Sequence, residues 1–391
     1  TRIINNASVS CVAFSPDGKR LALGGYDNTA KLLDIDNGTE LARMEHDYCV
    51  DSVIFSPNGR RLATTSENNI VWLWDARTGR GLVRTRSNCI VFSPDGKRYA
   101  TPDGSIARLW DAETGNELAQ IIHGNHVISI IFSPEGNEFA TASSDQVRIF
   151  DADAGRELTR MEPDSSIVNG IALNPNGNRL ALANGNQAVI WDVENEKETV
   201  WMKHDNKVIS VLFSPDGRRL ATVSDDHAAT LWDSKTGDKL ARTNLNDKIS
   251  LAAFSYDGMK LAVISHNTII VMDVENSKEL ARIEHSGPLK CIAFSPDNTK
   301  LTAGGGSSIK DDFAAKVWDT ETGKELFNMI HRDSIEDVAF SPDGKKIATA
   351  SIDRSVMLWD IRVGESIASK EINITVNDIS FSPDGTIFAA T

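Results

Sequence analysis

The sequence predicts an all-β fold of small four-stranded antiparallel sheets, repeated about every forty residues, with nine complete repeats and a partial tenth. Three observations predict it. First, the stretch "FSPDGKRLA" at Phe14 returns in close variants at Phe55, Phe92, Phe132, Leu173, Phe213, Phe254, Phe294, Phe340 and Phe381. The gaps are 41, 37, 40, 41, 40, 41, 40, 46 and 41 residues, and a fixed period of that size makes the repeat the structural unit. Second, short β-prone runs alternate with turn signals at regular spacing. Third, no apolar period of 3.6 residues competes with them.

One repeat, residues 204–242, gives the elements in order. "VISVLF" is almost continuously apolar, so it reads as a strand buried on both faces. "SPDG" follows as a turn: proline presets the second position, aspartate suits the third and glycine accepts positive φ. "RRLATVS" resumes as a strand, "DD" turns, and "ATLWD" is the third strand. "SKTG" turns again, with Gly237 placed for a left-handed residue, and "DKLAR" is a fourth, more polar strand. Departures follow the same logic. Asn298 stands for glycine in "SPDN", and asparagine is the side chain that best tolerates the left-handed region. Tyr256 stands for proline in "FSYDG", a change expected to cost preorganisation but no contact.

One such sheet cannot bury both of its faces, so the copies must stack on one another. "WD" closes the third strand at Trp74-Asp75, Trp110-Asp111, Trp191-Asp192, Trp232-Asp233, Trp318-Asp319 and Trp359-Asp360, with degenerate forms at Leu33-Asp34, Phe150-Asp151 and Met272-Asp273. With the period and the "FSPDG" turn, the chain resembles the WD40 family of β-propellers over essentially its whole length.

The resemblance implies a role for a second recurring set. His204, Ser224, Asp226 and Trp232 recur as His331, Ser351, Asp353 and Trp359, and nearly as His46, Ser66, Asn68 and Trp74. Serine, histidine and aspartate are the groups of a nucleophilic triad, but a triad is needed once, in one cleft. The resemblance implies instead a structural relay from indole N–H to serine hydroxyl, to imidazole, to carboxylate. Leu245 and Asp164 stand where the histidine would be in other repeats.

The resemblance also places partner binding at the loops leading into the first strand and at the turns between the second and third strands. Candidate residues there are Tyr26, Arg86, His126, Lys207, Asp225, Lys248 and Ile352. At the opposite end, basic pairs follow the "FSPDG" turns: Lys19-Arg20, Arg60-Arg61, Lys97-Arg98, Arg218-Arg219 and Lys345-Lys346. Glutamates such as Glu113, Glu275 and Glu321 fall on the same end, which favours a salt-paired face over a phosphate-binding one.

Net charge is −14 and the pI about 5.1, which argues against a general nucleic-acid or anionic-membrane binder. No apolar run approaches the roughly 18 residues of a membrane span. "HGNH", His123 to His126, lacks the spacing of a metal site, and "DIDNGTE" at Asp34 lacks the closing glutamate of a calcium loop. No phosphate-cradling glycine motif and no nucleophile elbow is present, so no cofactor or metal is expected. Four well-separated cysteines, three of them equivalent (Cys11, Cys89, Cys291), read as small buried thiols in a reducing, cytoplasmic setting.

"TRIINN" aligns with the fourth-strand stretch "LARMEH", and the chain closes after a second strand. The expectation is an excerpt of a longer array: residues 1–278 as a seven-bladed propeller and 279–391 as the start of a second, with one nine-bladed ring as the alternative. The insertion Gly304 to Phe313, which lengthens one gap, is expected to form a mobile loop.

The expected function is a non-catalytic protein–protein interaction scaffold or sensor, recognising protein or peptide partners, inside a larger intracellular signalling or regulatory protein. The resemblance adds a covalently attached effector domain, such as an NTPase, kinase or protease. One alternative is a propeller enzyme of quinoprotein type, for which "DAETGNEL" at Asp111 gives some footing. That motif ends in a docking tryptophan, whereas Leu118, Leu240, Leu280 and Leu326 stand here. The other alternative is a nucleic-acid-binding scaffold.

Overall fold

The computed structural model describes residues 9–162, 168–195, 197–306, 313–371, 376 and 378–390. Among them there is no helix, and so none that could cross a membrane. Nine four-stranded antiparallel sheets and one two-stranded sheet follow one another along the chain. They span residues 9–45, 50–86, 91–122, 127–161, 168–203, 208–244, 249–284, 289–330, 335–371 and 379–390, and are called sheets one to ten here. Within each full sheet the strand order is the chain order, as hairpin-joined neighbours require. The chain divides into two compact units: Thr1–Asp226 with Trp232–Lys239, and His227–Leu231 with Leu240–Thr391.

Burial grades from the first strands outward. In sheet six the second strand, Arg219–Ser224, is buried at every residue but its first. The fourth strand, Lys239–Asn244, is buried only at Thr243. The equivalent next-to-last residues Met44, Ile121, Met161, Met202, Ile283 and Met329 are also buried, and each packs on the closing aromatic or its neighbours in the following sheet. Met202, for example, joins Leu220 and Trp232, and Met329 joins Ile347 and Trp359. The fourth strand of one sheet is therefore half of an apolar seam whose other half belongs to the next.

The first strand carries a β-bulge after its first residue, as between Val208 and Ser210 or between Ile335 and Asp337. The "SPDG" turns form as expected. In each typical copy the serine hydroxyl donates to the aspartate carboxylate and accepts the amide N–H five residues on, as with Ser214, Asp216 and Arg219. The turns also stack from sheet to sheet, and at several seams a proline lies on the next sheet's glycine, while Gly96 meets the Asn58 side chain instead. A Cβ on Gly217 would come within 3.1 Å of Pro175 Cδ, and one on Gly344 within 3.4 Å of Pro296 Cδ.

A further seam replaces both partners. Asn298 holds φ of 59°, as expected of a glycine substitute. Its Oδ1 accepts the backbone N–H of Tyr256 at 2.8 Å, a donor that proline would lack. The expectation that Tyr256 changes no contact is therefore corrected. At the proline–glycine seams a residue without N–H faces one without a side chain; here an N–H faces a side chain that binds it.

The cysteines also depart from expectation. All four are free, but only Cys291 is buried; Cys11 and Cys49 are half-buried and Cys89 is exposed. The fourth-strand alignment of residues 1–6 and most of the Gly304–Phe313 insertion lie outside the described residues.

Candidate functional site

The histidine sets come together, with one correction. In the seam between sheets five and six, Trp232 Nε1 donates to Thr222 Oγ1 at 2.8 Å, and His204 Nε2 lies 2.8 Å from the same hydroxyl. His204 Nδ1 is 3.6 Å from Asp226 Oδ2. The hydroxyl of the relay is thus Thr222, not Ser224. Ser224 instead donates towards the carbonyls of Asn206 and Lys207 and accepts from the amide of Asp226, so it pins the local loops.

The copy between sheets eight and nine is tighter. Trp359 Nε1 donates to Thr349 Oγ1 at 3.0 Å, and Thr349 Oγ1 is 2.7 Å from His331 Nε2. His331 Nδ1 reaches Asp353 Oδ2 at 3.2 Å and Ser355 Oγ at 2.9 Å. The Asp353 carboxylate can only accept, so Nδ1 carries the imidazole proton, and Thr349, which accepts from the indole, donates to Nε2. Ser351 plays the part of Ser224, donating to Asp333 and Ser334 carbonyls. Burial lowers the pKa of His331 despite the facing carboxylate, so the ring is neutral.

Between sheets one and two the relay is incomplete. Trp74 donates to Thr64 at 2.8 Å and His46 Nε2 lies 3.3 Å from it. Asn68 Oδ1 is already taken by Ser66 Oγ, and His46 Nδ1 has no partner among the described residues. Burial pulls the pKa of His46 down to about 4.

His123 makes a version without tryptophan, with Nε2 at 2.9 Å from Thr141 Oγ1 and Nδ1 at 3.1 Å from Ser143 Oγ. No such histidine serves as a nucleophile's base. Each has its Nε2 against a threonine hydroxyl that is fully buried, out of reach of a substrate.

The loop end of the sheets carries the candidate binding residues. Several leading loops are tied to the second-to-third-strand turn of their own sheet: Asp225 N donates to Lys207 O at 2.8 Å, Ile352 N to Ser334 O at 3.0 Å, and Glu67 N to Cys49 O at 3.1 Å. In sheets with short turns the tie goes to the preceding sheet, as from Val127 N to Gly104 O at 2.8 Å. In the first unit Tyr26, Arg86, His126 and Lys207 are exposed and Asp225 is half-buried; in the second Lys248 is exposed and Ile352 half-buried. Arg86 lies 3.8 Å from Asp103.

At the turn end the basic pairs split in function. Where the second member is arginine, it bends inward and caps the following sheet or its own third strand. Arg61 donates to Ala112 O, Glu113 O and Asp75, and is buried; Arg20 donates to Ala76 O and Gly59 O. Arg98 and Arg219 hold Asp111 and Asp233 at 2.8 and 3.0 Å. Only the first members, Lys19, Arg60, Lys97, Arg218 and Lys345, face solvent. Several of these sit beside their own turn's aspartate, as Lys97 does at 3.3 Å from Asp95. Among the described residues no group of three or more histidine, cysteine or carboxylate side chains is arranged to hold a metal.

Comparison with known proteins agrees with this architecture. The model of the WD40 family (WD domain, G-beta repeat) matches residues 2–34, 38–75, 116–151, 195–233, 277–319 and 323–360, more than half of the chain. No curated protein matches the sequence. Among solved structures, one described as the eukaryotic initiation factor superposes with a TM-score of 0.68 at 16% identity, covering 91% of this chain and 96% of that one. The computationally designed Ika8 protein gives 0.56 at 19% identity, covering 91% and 97%. The C-terminal WD40 domain of Sif2 gives 0.57 at 17% identity, covering 89% and 94%. At such identities these likenesses speak for the fold alone. The repeats, the four-stranded sheets and the family match together make this chain a member of the WD40-repeat β-propeller family.

Proposed function

We propose that the protein is a non-catalytic interaction scaffold that engages protein or peptide partners through the loop end of its sheets. Members of the WD40 family commonly serve as protein-interaction scaffolds. The observation that carries the proposal here is the contrast between the two ends. At the turn end, the inner cation of the basic pairs is held by backbone carbonyls and carboxylates of its own or the next sheet. At the loop end, varied side chains stand exposed on loops fixed by short backbone hydrogen bonds, the arrangement in which recognition residues sit on a rigid frame. The reading extends to a sensor role within a larger intracellular regulatory protein that carries an effector domain, and to a division of the array into more than one ring.

Capture experiments with charge reversals test it. Arg86→Glu, Lys207→Glu and Lys248→Glu should each weaken retention of the partner. Their melting temperatures should stay within about 2 °C of wild type, because exposed substitutions away from the core change stability little. Lys19→Glu and Lys97→Glu, at the turn end, should leave retention unchanged. Partner capture that survived every loop-end reversal would sink the assignment. The enzymatic alternative predicts a quinone chromophore in the purified protein. The nucleic-acid alternative predicts salt-dependent binding that persists at physiological ionic strength, which the occupied inner cations speak against.

A further inference from the structure

Two tyrosines of the first unit stand uncovered at the loop end, Tyr26 at 57% and Tyr48 at 54% exposure. Tyr26 lies in the second-to-third-strand turn of sheet one, and Tyr48 in the loop leading into sheet two. Cys49 fastens these segments together. Its Sγ lies 3.7 Å from Tyr26 O, and its carbonyl accepts the Glu67 N–H of sheet two's own turn at 3.1 Å. Two residues before the first strand, where Tyr48 stands, other described loops have Asn125, Asn206, Asp247, Gly287 and Asp333. The loop therefore does not need an aromatic ring for its own structure.

The same place carries a second departure. The extra residue of the first-strand bulge is Ser10 in sheet one and Asn169 in sheet five. Each donates to a carbonyl of the following sheet, Ser10 to Val50 O and Asn169 to Val208 O at 2.7 Å. In sheet two the extra residue is Asp51, and a carboxylate cannot donate to a carbonyl. The following sheet's first strand is also cut to Val91–Phe92, so no strand faces the bulge there. Asp51 and Glu67 both stand exposed, and neither forms an ion pair with a described residue. Residual burial, with the charge of Glu67 adding to it, raises the pKa of Asp51. The neighbouring acids are already matched, Asp47 by Arg84 at 3.1 Å and Asp27 by Lys31 at 3.3 Å.

Taking the loop end as the recognition surface, we infer that its part over sheets one and two accepts a basic peptide, whose arginine or lysine head is held by Asp51 and Glu67 while Tyr26 and Tyr48 pack on the side-chain stems. Charge complementarity decides the occupant. Two unmatched carboxylates repel each other, and a cation relieves that repulsion and adds charge-assisted hydrogen bonds. Exposed tyrosine faces attract the same cation and cover its apolar stem. An acidic segment would add a third negative charge, and an apolar one would strip water from carboxylates that it cannot pair.

Fluorescence anisotropy of a labelled hexa-arginine peptide on the full chain tests this. The net charge of −14 attracts such a peptide everywhere, so the variants separate a site from a diffuse field. Asp51→Asn combined with Glu67→Gln should weaken binding about tenfold, the loss of charge-assisted contacts. Glu135→Gln combined with Glu194→Gln removes the same charge from the exposed turn end of the same unit and should change affinity less than about twofold at physiological salt. Tyr48→Ala leaves the charge unchanged and should weaken binding about threefold. Equal weakening by the two double variants would show diffuse attraction only and overturn the proposal. Tighter binding of a hexaglutamate or hexaglutamine peptide would overturn it as well. If hexa-arginine binding ignores Asp51 and Glu67 while partner capture still depends on Arg86 and Lys207, the basic-peptide site falls and the loop-end scaffold stands.

Discussion

Two seams of the second unit solve one packing problem with different polar chemistry. Between sheets eight and nine, His331 sits in the full relay of Trp359, Thr349 and Asp353. Between sheets seven and eight, the threonine's place is taken by Ala303, and the carboxylate's counterpart falls among residues outside the described ones. His285 adapts. Its Nε2 lies 2.9 Å from Ala314 O, and its Nδ1 accepts the Gly287 N–H at 3.2 Å. Nδ1 also lies 3.1 Å from the Gly287 carbonyl, so His285 faces backbone groups at both nitrogens where His331 faces side-chain hydroxyls and a carboxylate. At the turn end the same two seams differ again, Pro296 against Gly344 in one and Tyr256 against Asn298 in the other. The apolar halves are alike: Ile283 meets Leu301 and Trp318, and Met329 meets Ile347 and Trp359. Apolar packing thus defines the seam. Polar groups are interchangeable, provided every donor and acceptor is re-paired.

The largest effect should come from the part the seams share. Trp318→Ala and Trp359→Ala should each destabilise the protein by about 3–5 kcal/mol, the cost of deleting a buried aromatic and leaving a cavity. Chemical denaturation followed by circular dichroism reads both. If one seam lost far less than the other, the claim that apolar packing is common to them would fail.

The polar difference should appear next. Thr349→Ala gives sheet nine the residue that sheet eight already has. It leaves the Trp359 indole and the His331 Nε2 without a partner, at about 1–3 kcal/mol. The reciprocal Ala303→Thr should bring no gain, because His285 is already satisfied and Ala303 is fully buried in a packed strand. Stabilisation by Ala303→Thr would show that His285 is under-satisfied. Nitrogen-15 shifts of the two imidazoles show which nitrogen of each ring carries the proton.

Acid should act through the buried histidines. Burial holds His46 and His123 at about 4, and it also lowers His331. A histidine with a lowered folded pKa binds its proton more weakly folded than unfolded. The unfolded chain then takes up more protons, and stability drops as pH falls from about 6.5 towards 4. His123→Gln should flatten the profile across that window by about 1–2 kcal/mol once partial solvent access is allowed for. Denaturation midpoints measured at pH 7 and pH 4.5 on both proteins check the slope; an unchanged slope would mean that His123 is not a major contributor.

Most of the fold was legible because turn chemistry and period are local properties. "SPDG", the Gly237 position and the closing "WD" each specify a turn or strand end without reference to distant residues. The relay was legible in its histidines and tryptophans but not in its hydroxyl. Ser224 and Thr222 recur with equal regularity, and two residues apart on a strand they share a face, so spacing cannot choose between them. A finer signal existed. In two copies the threonine is missing along with the tryptophan: Leu23 accompanies Leu33, and Val263 accompanies Met272, although Thr141 stays with Phe150. At Trp191, with Leu182 in the threonine's place, the indole N–H is left without a partner among the described residues. The inward turn of one cation in each basic pair was hidden for a similar reason, since adjacent residues on a strand point to opposite faces and sequence alone does not say which face the next sheet covers.

The compensation of Tyr256 by Asn298 makes the finest test, because it spans one repeat and joins two seemingly separate departures. Asn298→Gly restores the usual glycine but leaves the Tyr256 N–H unbound. Tyr256→Pro restores the usual proline but strands the Asn298 oxygen and brings the ring against the side chain. Each single change should cost about 1 kcal/mol. The double variant recreates the Pro296–Gly344 arrangement and should recover most of the loss, giving a coupling of about 0.5–1 kcal/mol in a double-mutant cycle. Simple additivity would mean that the two substitutions arose independently and that the 2.8 Å hydrogen bond adds nothing to the seam. Recovery would show that turns in neighbouring sheets are matched pair by pair, and that a repeat can depart from its consensus only when its neighbour departs with it.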